Sequence, residues 1–366
     1  MSVARSAIDL DDTETLLAAD HDGALRAASM AGAQVRAIAA AVDEGALDSV
    51  REDYPPRTVV WVSPRGTAAT AGAMLAAALG GSAAEPLVLA IDSPPWIGPL
   101  DVLVAAGDDP GDPALVAAAA AGVRRGARVV VAAPYEGPLR DATAGRAAVL
   151  EPRISVPEGF GLPRYLAAML AVLSAVDPGL STTGLGGLAD ELDAEALRNS
   201  AGRDVFTNPA KTLAERVFGR DVALAGDCAA TLALARHGSA AMLRIGQTTV
   251  AAVGLADVVT AWRARQAGGR EIADVFHDEQ IDGPVDDRLR VLALTLAAER
   301  TVVAARIGGL TDVDLVGAGD VPMGLGVTDG PAGLPPKTDP GRIEQQLALL
   351  AVRLEMAAAY LRLLRG

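Results

Sequence analysis

Asp108, Asp109 and Asp112 stand close together in the stretch Gly107-Asp-Asp-Pro-Gly-Asp112, immediately after an apolar run. Carboxylates at this spacing support two kinds of chemistry. Asp112 directly precedes Pro113, a strong signal for a helix cap. Its side chain would accept the first backbone amides there, while Asp108 and Asp109 would sit favourably near the positive end of the helix dipole. The same groups could instead hold a cationic or metal-bridged ligand. The other motifs offer less. His21, His237 and His277 lie far apart, and Asp278 and Glu279 beside His277 cannot all turn toward one ion from a single loop, so no metal is expected. Gly317-Ala-Gly319 follows an apolar run, but Asp320, Pro322, Gly324 and Gly326 leave no helix for it to open, and a dinucleotide pyrophosphate needs that helix. Neither lysine, Lys211 nor Lys337, follows a glycine as a phosphate loop requires. No cofactor is expected. Cys228 reads as a small buried apolar group.

These groups need a scaffold, and composition bounds its kind. Of 366 residues, 51% are apolar and 21% charged, enough for a globular chain with a sizeable core. A net charge of −14 carries no electrostatic footprint for nucleic acid or an anionic membrane surface, so neither is expected as a partner. One cysteine forbids an internal disulfide, which fits a reducing compartment, and a cytoplasmic location is expected. No apolar run reaches the ~18 residues of a membrane helix; the stretch 165–176 is cut short by Asp177 and Pro178. Asp9, Asp11 and Asp12 stand where a signal peptide would be apolar.

Periodicity then places the elements. Residues 14–41 are Ala-rich, with Leu16, Leu17, Leu25, Met30, Val35 and Ile38 at near-helical spacing, which predicts one or two leading helices. Short apolar runs at 58–62, 86–91, 101–106, 127–133 and 147–151 read as strands, separated by helical stretches at 68–79 and 114–125. Near-continuous apolar strands of this kind predict a parallel sheet covered on both faces. After a helix at 162–176, the segment 177–204, rich in Gly, Ser, Thr and Asp, is expected to join two domains. A second series follows: helix 211–218, strand 221–225, helix 229–243, strand 290–296, helix 299–307 and strand 313–316. A Gly/Pro-rich loop spans 317–340, and a periodic helix at 342–364 closes the chain. The expected class is α/β, with two doubly wound domains of mainly parallel sheet flanked by helices, at 1–180 and 205–366.

The strand-to-helix loops of the first series, with Pro157-Glu-Gly-Phe-Gly-Leu-Pro-Arg164 and Val275-Phe-His-Asp-Glu279, resemble the sugar isomerase (SIS) family. Within it, the resemblance is to the bifunctional phosphoglucose/phosphomannose isomerases. It covers nearly the whole chain as an order of elements and is close at a few short motifs. It implies two SIS-like domains, a sugar or sugar-phosphate ligand, and a homodimer whose sites are completed across subunits. Arg65-Gly66-Thr67 takes the place of the family's Gly-Gly-Ser turn: Thr67 keeps the hydroxyl, and Arg65 adds a cation. Thr67 could equally cap the following helix. The family's second loop, a phosphate cradle of hydroxyls, is replaced by 107–112, where Asp109 and Asp112 would face the ligand. A carboxylate near 4 Å from a phosphate charge costs roughly 4 kcal/mol at an effective dielectric near 20.

For isomerisation the resemblance implies that Arg164 stabilises the enediolate and that His277 opens the ring, with Asp278 where the family has Asn. An ordinary helix-start arginine and a loop or interface histidine are the plain alternatives. The segment corresponding to the family's base offers Gln247, whose amide cannot accept the proton, and 242–252 contains no acid. Glu279 or Glu271 would have to substitute from another side. The family's C-terminal lysine has no counterpart in 342–366. The expected function is that of a SIS-domain protein of carbohydrate-derivative metabolism with weak or no isomerase activity. An active sugar-phosphate isomerase with a rearranged base and a non-catalytic, dimeric partner-binding protein are the alternatives.

Overall fold

The computed structural model describes residues 8–52, 54–267, 289–320 and 341–365. The chain enters through three short helices, α1 (Thr13–Ala19), α2 (Ala24–Ser29) and α3 (Ala31–Asp43), rather than one or two. The break between α1 and α2 falls at Gly23, whose φ of 64° favours glycine.

The described residues divide into two compact units. The first comprises Leu25–Leu197 with Arg342–Val352, and the second the described parts of Met1–Ala24, Arg198–Gly341 and Arg353–Gly366.

In the first unit, β1 (Thr58–Val62), β2 (Leu87–Ala90), β3 (Asp101–Ala106), β4 (Arg128–Ala132) and β5 (Ala148–Val149) form one sheet in the order β2-β1-β3-β4-β5. Every pair is parallel. The sequence predicts this from runs such as Asp101–Ala106, which is buried at every position and so has no polar face to alternate with. On one face, Leu115 and Ala118 of α5 (Pro113–Arg124) and Leu139 of α6 (Gly137–Thr143) pack on Val60, Leu103 and Val131. Trp61 points to the other face, where its indole donates to Ala68 O, 2.9 Å away, in α4 (Gly66–Leu79). There α4 and α3 pack on α7 (Leu162–Val176), whose every residue but Ser174 is buried. The segment 177–204, expected as a connection, contains α8 (Leu185–Arg198), which buries Leu188 and Leu192.

In the second unit, β6 (Val222–Gly226), β7 (Ala251–Gly254), β8 (Arg290–Thr295) and β9 (Val313–Gly317) make a sheet in the order β7-β6-β8-β9, again all parallel. Around it run α9 (Pro209–Val217), α10 (Ala229–Arg244), α11 (Leu255–Ala267), α12 (Arg300–Ile307) and the later part of α13 (Ile343–Arg365). Val258 and Trp262 of α11 and Val303 of α12 cover Ala225, Val291 and Ala293. A Cβ on Gly226 would run into the Thr231–Leu232 backbone, so this glycine lets α10 begin hard against the end of β6. Lys211 is fully buried, and its ammonium donates to Leu10 O (2.5 Å), Ala201 O (2.8 Å) and Arg203 O (2.6 Å). Its charge lies 5.6 Å from the centre of the Tyr360 ring.

Both sheets reverse direction of winding beside their first strand, between β1 and β3 and between β6 and β8. Parallel sheets bind ligands at such points, beyond the carboxyl ends of the strands. Among the described residues, no helix is long and apolar enough to cross a membrane.

Candidate functional site

The carboxyl ends of β1 and β3 open into a cavity of about 290 Å³ in the first unit. It is lined by Pro64, Arg65, Gly107, Asp108, Asp109, Asp112, Leu115 and Glu158. The turn after β1 needs Gly66, whose φ is 77°, and an extended Arg65 precedes it as the cap of α4. Arg65 then reaches across to the other loop, with Nη2 3.4 Å from Asp109 Oδ2 and 3.3 Å from Asp112 Oδ2. Glu158 stands opposite on a short turn, Glu158–Phe160, which Gln34 of α3 anchors by donating to Phe160 O at 3.0 Å.

Asp112 caps α5 as its position before Pro113 predicts. Its Oδ1 accepts from Ala114 N (2.9 Å) and Leu115 N (3.4 Å). These amides, which would otherwise be the natural donors to a phosphate at a helix N-terminus, are therefore engaged. Asp108 does something the sequence reading missed. Arg164 Nη2 and the Tyr165 hydroxyl both donate to its Oδ1, the latter at 2.8 Å, and Arg164 lies over the Tyr165 ring at 4.7 Å. Burial raises the Tyr165 phenol well above its ordinary value; Arg164 opposes the shift and Asp108 adds to it, so the hydroxyl stays a donor.

Thr67 does not cap α4, because it already lies inside the helix. Its buried Oγ1 has no hydrogen-bond partner among the described residues. A Cβ on Gly161 would lie 3.2 Å from both Thr67 Oγ1 and Arg164 Nη2, so a side chain at 161 would crowd both groups. Arg65, Gly66, Thr67, Asp109, Asp112 and Arg164 thus gather in one region, together with Asp108, Glu158 and Tyr165. Glu158 and Tyr165 lie within or beside the stretch 157–164, which was the signal available for them.

Gln247 is placed elsewhere. It belongs to the second unit and precedes β7, at the amino end of the sheet, where its φ is 50° and its carbonyl accepts from Arg365 Nη1 at 2.6 Å. His277, Glu279 and Glu271 lie outside the described residues. Cys228 is half-buried rather than an apolar core group; it caps α10, with Sγ 3.4 Å from Thr231 Oγ1. No group of three or more His, Cys, Asp or Glu is placed to hold a metal among the described residues.

No family model matches the sequence, and no curated protein matches it. Solved structures do match in fold. A Clostridium difficile 630 protein designated a phosphosugar isomerase superposes with a TM-score of 0.58 at 13% identity, covering 93% of each chain. The C-terminal domain of glucosamine-fructose-6-phosphate aminotransferase from Francisella tularensis gives 0.58 at 8% identity, over 95% of this chain and 98% of that one. Tagatose-6-phosphate ketose/aldose isomerase from Escherichia coli gives 0.56 at 14% identity, over 93% and 90%. The chain has the SIS fold. At these identities the likeness is one of fold, and the side chains described above carry the chemical argument.

Proposed function

We propose that this chain is a SIS-type protein that binds a sugar derivative, acts as a homodimer in the cytoplasm, and has little or no phosphoglucose or phosphomannose isomerase activity. One observation carries the reading: among the described residues, the β1/β3 cavity is lined by Asp108, Asp109, Asp112 and Glu158 against one cation, Arg65. The resemblance puts a phosphate cradle at this position. Here a dianion would meet carboxylates within a few ångströms, and the α5 amides are engaged by Asp112. Carboxylates are acceptors for sugar hydroxyls and for an ammonium group, so the end of the ligand that enters this cavity is uncharged or cationic.

Arg164 fits the same reading. Its guanidinium is held on Asp108, which offsets the positive charge that an enediolate would need. The remaining isomerase parts would have to come from His277 and Glu279 or Glu271. The decisive experiment is a turnover assay of the purified chain with glucose 6-phosphate and mannose 6-phosphate, beside calorimetric titration with glucose and glucosamine. No turnover is expected, together with sugar binding that weakens on Asp109→Ala. Turnover at an ordinary enzymatic rate, lost on His277→Ala, would overturn the reading.

A further inference from the structure

In the first unit, β2 is the edge strand of the sheet and pairs only with β1 among the described residues. Val59 N and Ser63 N donate to Pro86 O (3.1 Å) and Ala90 O (3.0 Å), so the even-numbered residues along β2 face β1. Leu87 and Leu89 turn their peptide groups the other way, where no strand of the described residues meets them. Open edges of this kind are usually guarded by a lysine, a proline or a bulge within the strand. β2 reads Leu87-Val-Leu-Ala90, and its register with β1 runs unbroken from Val59 and Leu87 to Val62 and Ala90. Its side chains are accessible as well: Leu89 is 46% exposed, and Ile91, just past the strand, 69%. A Cβ on Gly72 would lie 3.2 Å from Leu89 Cδ2, which places Leu89 on the α4 side of the sheet. Beyond Gly66, the accessible residues of α4 are Thr70 and the alanines at 69, 73, 76, 77 and 78. Between Arg65 and Asp92 the sole charged residue is Glu85, and it is buried.

We propose that β2 and the adjoining surface of α4 form the contact between two copies of this chain, their β2 strands paired antiparallel about a two-fold axis at Leu89. Charge and symmetry select this occupant. Two chains of net charge −14 repel wherever their charged surfaces meet, and this face presents no charge. A strongly basic or acidic partner would find no ion here to pair with. A two-fold axis perpendicular to the sheet sets Leu89 against its own copy and Leu87 against Ile91 of the second chain. The same axis engages the outward peptide groups of Leu87 and Leu89 and brings both α4 helices to one face, where alanines permit close approach. Such a contact closes on itself and leaves neither edge open. The proposal rests on the homodimer of the proposed function and gives it a surface.

The test is light scattering of the full chain over a dilution series, where the unmodified protein should give twice the 37.1 kDa of one chain. Leu89→Glu sets like charges opposite each other, and Ile91→Glu sets a charge against Leu87. Each should weaken the dimer at least tenfold with an unchanged circular dichroism spectrum, since both side chains are already accessible. Leu243→Glu, at a leucine 58% exposed in the second unit, should leave the mass unchanged. Leu89→Cys in a Cys228→Ser background should cross-link the dimer on mild oxidation, because opposed Cα atoms about 5.5 Å apart lie within disulfide range. A monomeric mass for the unmodified chain would overturn this proposal and the homodimer together. A dimer that neither glutamate variant weakens, or that does not cross-link through position 89, would overturn the face alone and leave the homodimer standing.

Discussion

The Tyr165 hydroxyl donates to Asp108 Oδ1 at 2.8 Å, on the same oxygen that receives Arg164. The aspartate nearest the carboxyl end of β3 is therefore held from behind by two residues at the start of α7. Tyr165→Phe keeps the ring and removes that donor. The expected loss is about 1–2 kcal/mol of unfolding free energy, read from urea denaturation, with the fold retained.

Asp112 serves two partners at once, the α5 amides and Arg65. Asp112→Ala should cost about 1 kcal/mol through the lost cap, while Asp112→Ser should cost only a few tenths. Combined with Asp109→Ser, the serine variant also removes two carboxylates from the cavity. Glucose 6-phosphate should then bind more tightly at low salt than it does to the unmodified chain, in a way abolished by Arg65→Ala. Calorimetry across a salt series checks both statements.

Glu85 precedes β2 and is buried, and among the described residues no other residue donates to either of its carboxylate oxygens. Burial, with the neighbouring Asp177, raises its carboxyl above the ordinary value of 4.5, opposed by its own backbone amide and by Arg128. The sign follows directly. A carboxyl whose folded value lies above its unfolded one stabilises fully below the unfolded value, and that contribution disappears as pH rises through the folded one. Glu85→Gln should therefore raise the Tm at pH 7 and change it little at pH 4, as measured by calorimetric scans at the two pH values.

Lys211→Met removes three bonds from one buried ammonium and strands the carbonyls of Leu10, Ala201 and Arg203. A loss of roughly 3–5 kcal/mol is expected, since unsatisfied buried acceptors carry their full desolvation cost. Loss of protection of the 201–203 backbone in hydrogen exchange would locate the effect; an unchanged denaturation midpoint would contradict it.

The strands that the sequence places best are those buried on both faces. Thr58–Val62 and Asp101–Ala106 run over the residues that their apolar runs predict, because four or five consecutive apolar side chains in so short a segment suit a parallel strand covered on both faces. Ala251–Gly254 escaped notice because it is a short, partly exposed edge strand of small residues, with no apolar run to announce it. The helix Leu185–Arg198 was hidden by Gly186, Gly187 and its acidic residues, whose unfavourable propensity is overridden by burial of Leu188, Ala189 and Leu192. At the site, Asp112 was legible because a cap is a local arrangement. The pairing of Asp108 with Arg164 and Tyr165 was not, since it spans 56 and 57 residues and depends on where α7 is laid.

The bond from Lys211 to Leu10 joins positions 201 residues apart. On a ribosome working at about 5–20 residues per second, Leu10 emerges roughly 10–40 s before the lysine that will engage it. The whole of 25–197 passes the exit in that interval, while 342–352, which complete the same unit, come last of its parts. Neither unit can therefore be finished in the order in which it is made: one waits for its closing helix, and the leading segment of the other waits, without its ammonium, for a partner not yet synthesised.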